Sequence, residues 1–291
     1  VLANIADVIS YQPDASFVPG NVIPNFISGL KVQVFHGLEW KKKGHFVIRG
    51  YFDLYCTHGP ATTTRFNQLA QQHGYFDVVE TGWPKLDNLF NTAPYQCQSE
   101  DKKVILYAPT FSPALTSAPQ LFEQIKRLVQ KRDWHWLIKF HPKMDDNWIA
   151  QYKALANDCI EVVDDIDIAS LLQVADIMVS DTSSVIGEFA VLNKPIVSLN
   201  NSQPGDYLID INSDQQLESA IVQAFTPDEK LKTAIRNYAQ DLHPFKDGKA
   251  SERIISAVEK IINDGKVAKK NKPWNLFRAF KLRKKLNYWR F

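Results

Sequence analysis

The feature that most constrains the fold is the alternation of short apolar runs with longer stretches of helical periodicity. The runs are bounded by Gly, Pro or polar residues and most are rich in β-branched side chains, as buried parallel strands are. They lie at 31–35, 53–57, 77–80, 103–107, 136–140, 160–163, 177–180 and 196–199. Helical patterns lie at 62–73, 120–131, 147–156, 168–174, 184–193, 217–224, 228–241 and 250–263. This alternation predicts βαβ units and an α/β fold with parallel sheets.

Two α/β lobes are predicted, joined by the polar segment 91–101, which contains Pro94 and has no apolar period. The N-terminal lobe, 1–95, has few clear strands, whereas a doubly wound lobe usually has about five or six. We therefore expect it to be reduced or truncated, also because the chain begins with Val1; a natural compact variant is the alternative. Residues 102–264 contain enough elements for a complete doubly wound lobe.

Charge is unevenly distributed along the chain. There are 34 Lys+Arg and 32 Asp+Glu, yet residues 265–291 hold ten of the basic residues and no acidic one. The acidic remainder excludes general nucleic-acid binding, which needs clustered Lys and Arg. Plotted as a helix, 274–291 separates an apolar arc with Leu276 and Phe280 from a basic arc with Lys281 and Lys284. The pattern predicts binding to an anionic membrane surface; the alternative is a helix that packs on the acidic body.

Other classes of site lose support from the sequence. Cys56, Cys97 and Cys159 show no CxxC spacing, so neither a zinc site nor a disulfide framework is predicted, and a reducing cytoplasmic setting is the simplest interpretation. We expect no metal and no cofactor. No apolar run has the roughly 18–20 residues that span a bilayer. Neither GxGxxG nor a Walker lysine loop is present, which argues against dinucleotide and P-loop sites.

Candidate functional residues follow the predicted strands. In open α/β sheets, ligands bind beyond the carboxyl ends of the strands, so these loops are expected to line one cleft between the lobes. The loops contain His36-Gly37, Thr110, His141-Pro142 and Asp181-Thr182-Ser183-Ser184.

The 181–184 loop opens an apolar helix, where hydroxyls and free backbone N–H groups favour phosphate. An ordinary Asp or Ser N-cap is the alternative. A histidine can accept the proton of an attacking hydroxyl or, as imidazolium, stabilise phosphate oxygens, although a lone strand-end histidine is more often structural. The three lysines that follow His36 could hold an anionic acceptor, or form a solvated basic loop; they are Lys41, Lys42 and Lys43.

Six motifs occur in the order and at about the spacing of a known family. They are His36-Gly37, residues 81–87 (TGWPKLD), residues 107–111 (YAPTF), His141-Pro142, residues 181–184 (DTSS) and residues 247–253 (DGKASER). In these motifs the chain resembles the CDP-glycerol glycerophosphotransferases, the teichoic-acid primases and polymerases. The resemblance covers most of residues 30–260. It implies a GT-B fold of two Rossmann-like lobes and transfer of glycerol phosphate from CDP-glycerol to a hydroxyl, with release of CMP and without a metal.

The resemblance also implies roles for individual residues. His36 and His141 are the expected catalytic histidines. The remaining matched positions are expected to bind substrate: Gly37, Thr110, Pro142, Asp181, Ser183, Ser184, Asp247, Gly248 and Arg253. Among these, Thr110 and the two serines would contact the donor phosphates. Arg253 would neutralise the diphosphate or act as a structural helix residue.

Departures from the family pattern leave the donor and acceptor open. The family usually has Arg where Lys85 stands, Tyr where Thr182 stands and often Asp where Glu188 stands. Lys85 keeps the charge but loses the bidentate fork. We expect a lipid-linked glycan acceptor and an enzyme peripheral on the cytoplasmic face of the membrane. The alternatives are a GT-B glycosyltransferase or epimerase that uses a nucleotide sugar, and a non-catalytic scaffold.

Overall fold

The computed structural model describes residues 4–38, 44–97 and 101–289, so Lys41, Lys42 and Lys43 lie outside the described residues. Within these ranges the strands are β1 (Ala15–Val18), β2 (Leu30–Gln33), β3 (Leu54–Thr57), β4 (Asp77–Glu80), β5 (Lys103–Tyr107), β6 (Trp134–Ile138), β7 (Ile160–Val162), β8 (Ile177–Ser180), β9 (Ile196–Leu199) and β10 (Ile209–Ile211). The α-helices are α1 (Ile5–Tyr11), α2 (Pro60–His73), α3 (Lys85–Asn91), α4 (Ala118–Lys131), α5 (Asp146–Lys153), α6 (Ile168–Val174), α7 (Val185–Ala190), α8 (Leu217–Phe225), α9 (Glu229–Leu242), α10 (Ala250–Asp264) and α11 (Leu276–Leu286).

The chain forms two compact units, and their boundaries differ from the predicted lobes 1–95 and 102–264. Unit 1 comprises Val1–Asp87 and Phe245–Phe291, and unit 2 comprises Asn88–Pro244. The predicted linker 91–101 falls within unit 2. There the Tyr95 N–H donates to the Ser170 carbonyl at 3.1 Å, which attaches this stretch to unit 2 by backbone hydrogen bonding.

Unit 1 contains a four-stranded parallel sheet in the order β1-β2-β3-β4. Alternation along β3 gives the sheet two apolar faces. Tyr55 packs with Phe66 of α2 in an aromatic cluster on one face. On the other face, Leu54 and Cys56 pack against Ile254 and Val258 of α10. This second contact explains why residues 245–264 belong to unit 1 and not, as predicted, to the second lobe.

Unit 2 contains a six-stranded parallel sheet in the order β10-β9-β8-β5-β6-β7. The chain winds outward from β5 through β6 to β7, then returns to add β8, β9 and β10 on the other side. The topological switch point therefore lies between β5 and β8, where doubly wound sheets bind ligands. Helices cover a core in which Tyr107, Leu121 and Trp136 are fully buried.

Residues after α10 pack on unit 1. The Lys270 N–H donates to the Gly74 carbonyl at 2.8 Å, and the side chains of Lys266 and Lys272 both bind the buried carboxylate of Asp53. The inner side of α11 carries Ala279, which is buried, and Leu282, which packs against the aromatic cluster. One face of α11 therefore packs on the protein, as the alternative to membrane binding predicted. No helix among the described residues is long and apolar enough to cross a membrane.

Candidate active site

In unit 2, the loops after β5 and β8 are joined by the carboxylate of Asp181. It accepts hydrogen bonds from the backbone N–H of Thr110 at 2.9 Å, of Ser117 at 2.8 Å and of Thr182 at 2.7 Å. The Ser117 hydroxyl donates a further bond at 3.0 Å. Burial raises the pKa of Asp181 above its ordinary value, although these neutral donors oppose the shift. Asp181 therefore organises the loops and is itself enclosed by protein.

A third loop, which follows β9, joins the same edge of the sheet. The Asn201 side-chain amide donates to the Asp181 carbonyl at 2.6 Å, and the Ser202 N–H donates to the Thr182 hydroxyl at 3.1 Å. The loops after β5, β8 and β9 thus meet beside the topological switch point. Neither Asn201 nor Ser117 was predicted; the position of Asn201 after a strand could have indicated it, whereas Ser117 precedes a helix and offers no such signal.

Ser183 and Ser184 directly precede α7. Ser184 is exposed and Ser183 is half-buried. The Ser184 side chain makes no capping hydrogen bond to α7, so the ordinary N-cap considered as the alternative does not form there. Thr110 lies in the loop after β5, which Asp181 binds, and Ser183 and Ser184 lie in the loop after β8, which begins with Asp181. The sequence predicted these loops at the carboxyl edge of the sheet.

His141 follows β6 with its ring stacked on Phe111, 4.3 Å between ring centroids. The Lys143 backbone N–H donates to His141 Nδ1 at 3.1 Å. Because Nδ1 accepts, the neutral ring carries its proton on Nε2, which leaves an N–H donor. Burial lowers the pKa of His141, with a smaller contribution from the Lys143 charge. Pro142 lies in the turn that the Met144 N–H closes on the His141 carbonyl at 2.9 Å.

In unit 1, His36 has the opposite hydrogen-bonding arrangement. Its Nδ1 lies 3.2 Å from the Pro19 carbonyl oxygen. Since a carbonyl can only accept, Nδ1 carries the proton and Nε2 keeps its lone pair. The His36 ring is exposed, and a Cβ added at Gly37 would meet nothing within 4 Å. The glycine after His36 is thus not required by packing within the described protein.

The predicted substrate residues Asp247, Gly248 and Arg253 also lie in unit 1, where Arg253 binds both Asp247 and the residue that follows β4. Arg253 Nη1 donates to Asp247 at 2.8 Å, and its Nε donates to the Thr81 carbonyl at 2.8 Å. The hydrogen bond from Arg253 lowers the pKa of Asp247. Gly248 has φ +65°, a left-handed conformation that favours glycine. Arg253 is thus first a structural helix residue, as the sequence alternative held, although its buried Nη2 lacks a hydrogen-bond partner among the described residues.

A neighbouring contact links the 81–87 motif to the 247–253 motif. The Asp87 carboxylate accepts the backbone N–H of Ala250 at 2.7 Å and of Ser251 at 2.8 Å, which caps the first turn of α10. The 81–87 and 247–253 motifs therefore hold each other in place. In the parts of the chain that the structure describes, no three His, Cys, Asp or Glu side chains are grouped so that they could hold a metal ion.

Comparison with known sequences identifies relatives. A sequence model of the CDP-glycerol:poly(glycerophosphate) glycerophosphotransferase family matches residues 52–260. The teichoic acid glycerol-phosphate primase of Bacillus subtilis (strain 168) is 26% identical over 264 residues, covering 77% of this chain and 68% of the primase. The teichoic acid poly(ribitol-phosphate) polymerase of Bacillus spizizenii (strain ATCC 23059 / NRRL B-14472 / W23) is 30% identical over 213 residues, covering 62% of this chain and 33% of the polymerase. The chain thus spans only a third of that polymerase.

Solved structures show the same fold. The wall teichoic acid polymerase TagF superposes with a TM-score of 0.61 at 16% identity, covering 86% of this chain and 72% of that chain. A putative UDP-N-acetylglucosamine 2-epimerase from Listeria monocytogenes gives 0.64 at 16% identity, covering 91% and 79%. At this identity the similarity establishes the fold alone, and it confirms the predicted GT-B-like α/β fold with parallel sheets.

The family match contains five of the six motifs, from residues 81–87 to residues 247–253; only His36-Gly37 precedes it. Because it covers well over half of the sequence, the chain belongs to the CDP-glycerol:poly(glycerophosphate) glycerophosphotransferase family.

Proposed function

We propose that this chain transfers glycerol phosphate from CDP-glycerol to a hydroxyl of a lipid-linked glycan or polyol-phosphate acceptor, releasing CMP. The observation that carries the proposal is the complementary pair of fixed histidine tautomers. His36 offers an unprotonated Nε2, and His141 offers an Nε2–H donor. Transfer to a hydroxyl needs one group of each kind, a base for the nucleophile and a donor for phosphate oxygens.

His36 is the proposed base. The acceptor hydroxyl attacks the glycerol-bearing phosphorus as its proton moves to His36 Nε2, and the bond from that phosphorus to the bridging oxygen of CDP-glycerol breaks. CMP leaves with that oxygen and its electron pair. The open space beside Gly37 allows the acceptor to approach the ring from a side that the described protein does not fill.

Unit 2 supplies the proposed donor-phosphate contacts. His141 Nε2–H donates to a phosphate oxygen, and its lowered pKa favours this neutral form at physiological pH. The hydroxyls of Thr110, Ser183 and Ser184 add donors, while Asp181 holds their loops together. Phosphoryl transfer depends mainly on positioning and electrostatics, so this set of groups is chemically sufficient.

The motif at 247–253 has a more restricted place in the proposal. Asp247 and Arg253 neutralise each other, and Arg253 Nη2 is buried, so in the described conformation this pair supports the start of α10, and a contact with the nucleotide would first require Nη2 to become exposed. Gly248 allows the turn that brings Asp247 to Arg253.

The relatives support polyol-phosphate transfer in teichoic acid synthesis. They include a glycerol-phosphate primase and a poly(ribitol-phosphate) polymerase. A TagF variant has also been solved after a soak with CDPG. Because the names of the relatives include both glycerol phosphate and ribitol phosphate, the test must compare CDP-glycerol with CDP-ribitol. The similarity to an epimerase requires a reaction with a nucleotide sugar as well.

The purified chain should be mixed with a lipid-linked glycan and, in separate reactions, CDP-glycerol, CDP-ribitol or UDP-N-acetylglucosamine, with the products followed by mass spectrometry. We expect acceptor-dependent CMP release from CDP-glycerol and an acceptor heavier by one glycerol phosphate. Reaction with CDP-ribitol alone would correct the donor. Conversion of the nucleotide sugar, or binding of CDP-glycerol without turnover, would overturn the proposal in favour of the glycosyltransferase, epimerase or scaffold alternatives.

The C-terminal segment is proposed to bind an anionic membrane surface. On the side of α11 away from Ala279 and Leu282, Phe277 and Phe280 are exposed, and Trp274 is exposed just before the helix. Basic side chains flank these rings, and the Lys281 ammonium lies 4.5 Å from the Phe277 ring centroid. Exposed aromatic groups beside clustered positive charge are typical of interfacial binding.

Vesicle sedimentation tests the membrane surface. The parent chain should bind vesicles that contain phosphatidylglycerol and bind phosphatidylcholine vesicles more weakly. Replacing the two phenylalanines (Phe277→Ser with Phe280→Ser) should reduce vesicle binding about tenfold or more. Val222→Ser, at an exposed apolar side chain of unit 2, is the matched control. Equal sedimentation of the parent, the double variant and the control would reject this surface.

A further inference from the structure

One buried amide side chain connects the two pieces of backbone on which the His36 ring depends. Gln33, the last residue of β2, is almost completely buried. Its Oε1 accepts the backbone N–H of Phe35 at 3.2 Å. Its Nε2 donates to the Gly20 carbonyl and to Asn21 Oδ1, each at 3.0 Å. The same side chain therefore holds both the turn that carries His36 and the 19–21 loop that carries its partner carbonyl.

The turn before His36 has an unusual conformation. Phe35 has φ +57°, in the left-handed region that bulky residues rarely adopt because it is strained. Packing offsets the strain at Phe35, since the centroid of its buried ring lies 5.4 Å from that of Phe66 and 4.9 Å from that of His45. Burial lowers the pKa of His45 to about 4, with a smaller effect of His36, so the stacked ring is neutral at physiological pH. The Gln33 bond to Phe35 N–H fixes the backbone at this turn.

The 19–21 loop is held on the other side by the sheet. The Val34 N–H donates to the Val18 carbonyl at 3.1 Å, which continues the β1–β2 pairing up to the loop. Beyond Val18 the chain leaves the sheet, and the Gln33 amide then binds Gly20 and Asn21. These contacts place the Pro19 carbonyl oxygen within 3.2 Å of His36 Nδ1.

We propose that Gln33 is a positioning residue that sets the tautomer of His36 by holding the Pro19 carbonyl against Nδ1. In free neutral histidine the tautomer with the proton on Nε2 predominates, which is the wrong form for a base that acts through Nε2. The hydrogen bond to Pro19 reverses this preference, and Gln33 maintains it by fixing both partners. The importance of the tautomer for turnover rests on the proposed function; the tautomer itself does not.

The decisive measurement is ¹⁵N NMR of the histidine ring nitrogens at a pH where the imidazoles are neutral. Comparison with His36→Gln assigns the His36 signals. In the parent chain, Nδ1 of His36 should be protonated and Nε2 unprotonated. Gln33→Met, which keeps the side-chain length but removes every hydrogen bond, should give a mixture of tautomers. Gln33→Glu keeps an acceptor for the Phe35 N–H and loses both donors, so the mixture should appear there as well.

Gln173→Met is the matched control, because the Gln173 amide also donates to a backbone carbonyl, that of Leu89 at 2.7 Å, but lies in unit 2. It should leave the His36 signals unchanged. In the CMP-release assay the Gln33 variants should lower kcat about tenfold with the KM for CDP-glycerol nearly unchanged, as expected for a misplaced base. The control should retain parental kinetics.

The outcomes separate the two proposals. A Gln33 variant with parental near-ultraviolet circular dichroism and an unchanged Nδ1-protonated His36 would overturn the positioning role, whatever the activity. If Gln33→Met does not fold, Gln33→Glu and the milder Asn21→Ala provide the same comparison, and an unchanged tautomer in both overturns it. A changed tautomer in a chain that never releases CMP would instead leave the positioning role intact and contradict the proposed function.

Discussion

The two units use a buried aspartate next to a parallel strand in opposite ways. Asp53 precedes β3, at the amino end of the sheet of unit 1, and binds Lys266, Lys272 and the Lys31 N–H. Asp181 follows β8, at the carboxyl end of the sheet of unit 2, and its donors among the described residues are neutral. Burial would raise the pKa of both. The two lysines lower the pKa of Asp53, whereas that of Asp181 stays raised.

This difference shows how the same residue type serves either attachment or assembly. Asp53 attaches the C-terminal segment to the amino end of the unit 1 sheet through charge pairs. Asp181 joins loops at the carboxyl end of the unit 2 sheet through neutral donors. At the carboxyl end of the unit 1 sheet, the neutral amide of Gln33 holds the turn before His36 and the 19–21 loop. At both carboxyl ends the donors are thus neutral, and a backbone group binds Nδ1 of the nearby histidine.

The largest effect is expected for the histidine of unit 1. His36→Ala removes the proposed base and should lower kcat for CMP release about 10³-fold, or about 4 kcal/mol in activation free energy. His73→Ala is the matched control, because the His73 ring lies at the end of α2 against Tyr75 and Phe76, and this variant should retain activity within about twofold. Undiminished turnover in a folded His36→Ala chain would show that His36 is not the base.

The histidine of unit 2 should give the next largest effect. His141→Leu deletes the Nε2–H donor and should lower kcat about 10²-fold, or about 3 kcal/mol. His141→Gln offers a side-chain N–H in a similar position and should recover part of the loss. If Leu and Gln were equally damaging, donation from Nε2 would not explain the role of His141, and the contrast of tautomers between the units would lose its functional meaning.

Much of the fold could be predicted because strand–helix periodicity is local. The predicted bounds agree with β4, β5, β8, β9 and α6 as observed, and most other predicted elements differ by a few residues. The elements β1, β10, α1 and α3 were not predicted, because polar residues interrupt their apolar positions, as in IDI for β10 and KLDNLFN for α3. Allocation of α10 to unit 1 also escaped prediction. Its apolar stripe indicates that it packs on something, while its partners Leu54 and Cys56 lie about 200 residues earlier.

The candidate site was predictable where chemistry follows a strand end. That rule indicated His36, His141 and Asp181, and the structure places each beyond a carboxyl end. The rule could not distinguish a side chain that faces open space from one that supports it. Asp181 is enclosed by backbone donors, and Arg253 is occupied by Asp247 and Thr81. Hydrogen bonds to other parts of the chain decide such roles, and the sequence around Gln33 does not reveal that its side chain binds Gly20 and Asn21.

A smaller effect, on stability, tests the charge pairs of unit 1. Asp53→Asn should lower the free energy of unfolding by about 2 kcal/mol in urea titrations at pH 7, below the usual cost of breaking a buried pair because both lysines reach solvent. The lowered pKa of Asp53 means that its stabilisation is complete above the ordinary carboxylate pKa and is lost as the pH falls through the folded-state value. Asp53→Asn should therefore flatten the acid limb of the stability profile. An acid limb that is unchanged in the variant would contradict the assignment.

The smallest effect tests the neutral donors of unit 2. Ser117→Ala removes the hydroxyl that binds Asp181 at 3.0 Å and lies 2.9 Å from the Tyr107 hydroxyl, while the Ser117 N–H bond to Asp181 remains. The expected loss is about 1–2 kcal/mol in the free energy of unfolding, and one fewer donor should raise the Asp181 pKa further. Ser219→Ala is the control, since its hydroxyl bonds an exposed helix carbonyl and should contribute less than about 0.5 kcal/mol.

Because the raised pKa of Asp181 makes its ionisation unfavourable to folding, its contribution to stability should weaken as the pH rises through the folded-state pKa, opposite in sign to that of Asp53. Carboxyl ¹³C NMR of the two aspartates across pH measures that difference directly, and shifts of the same sign would remove the distinction between the two units.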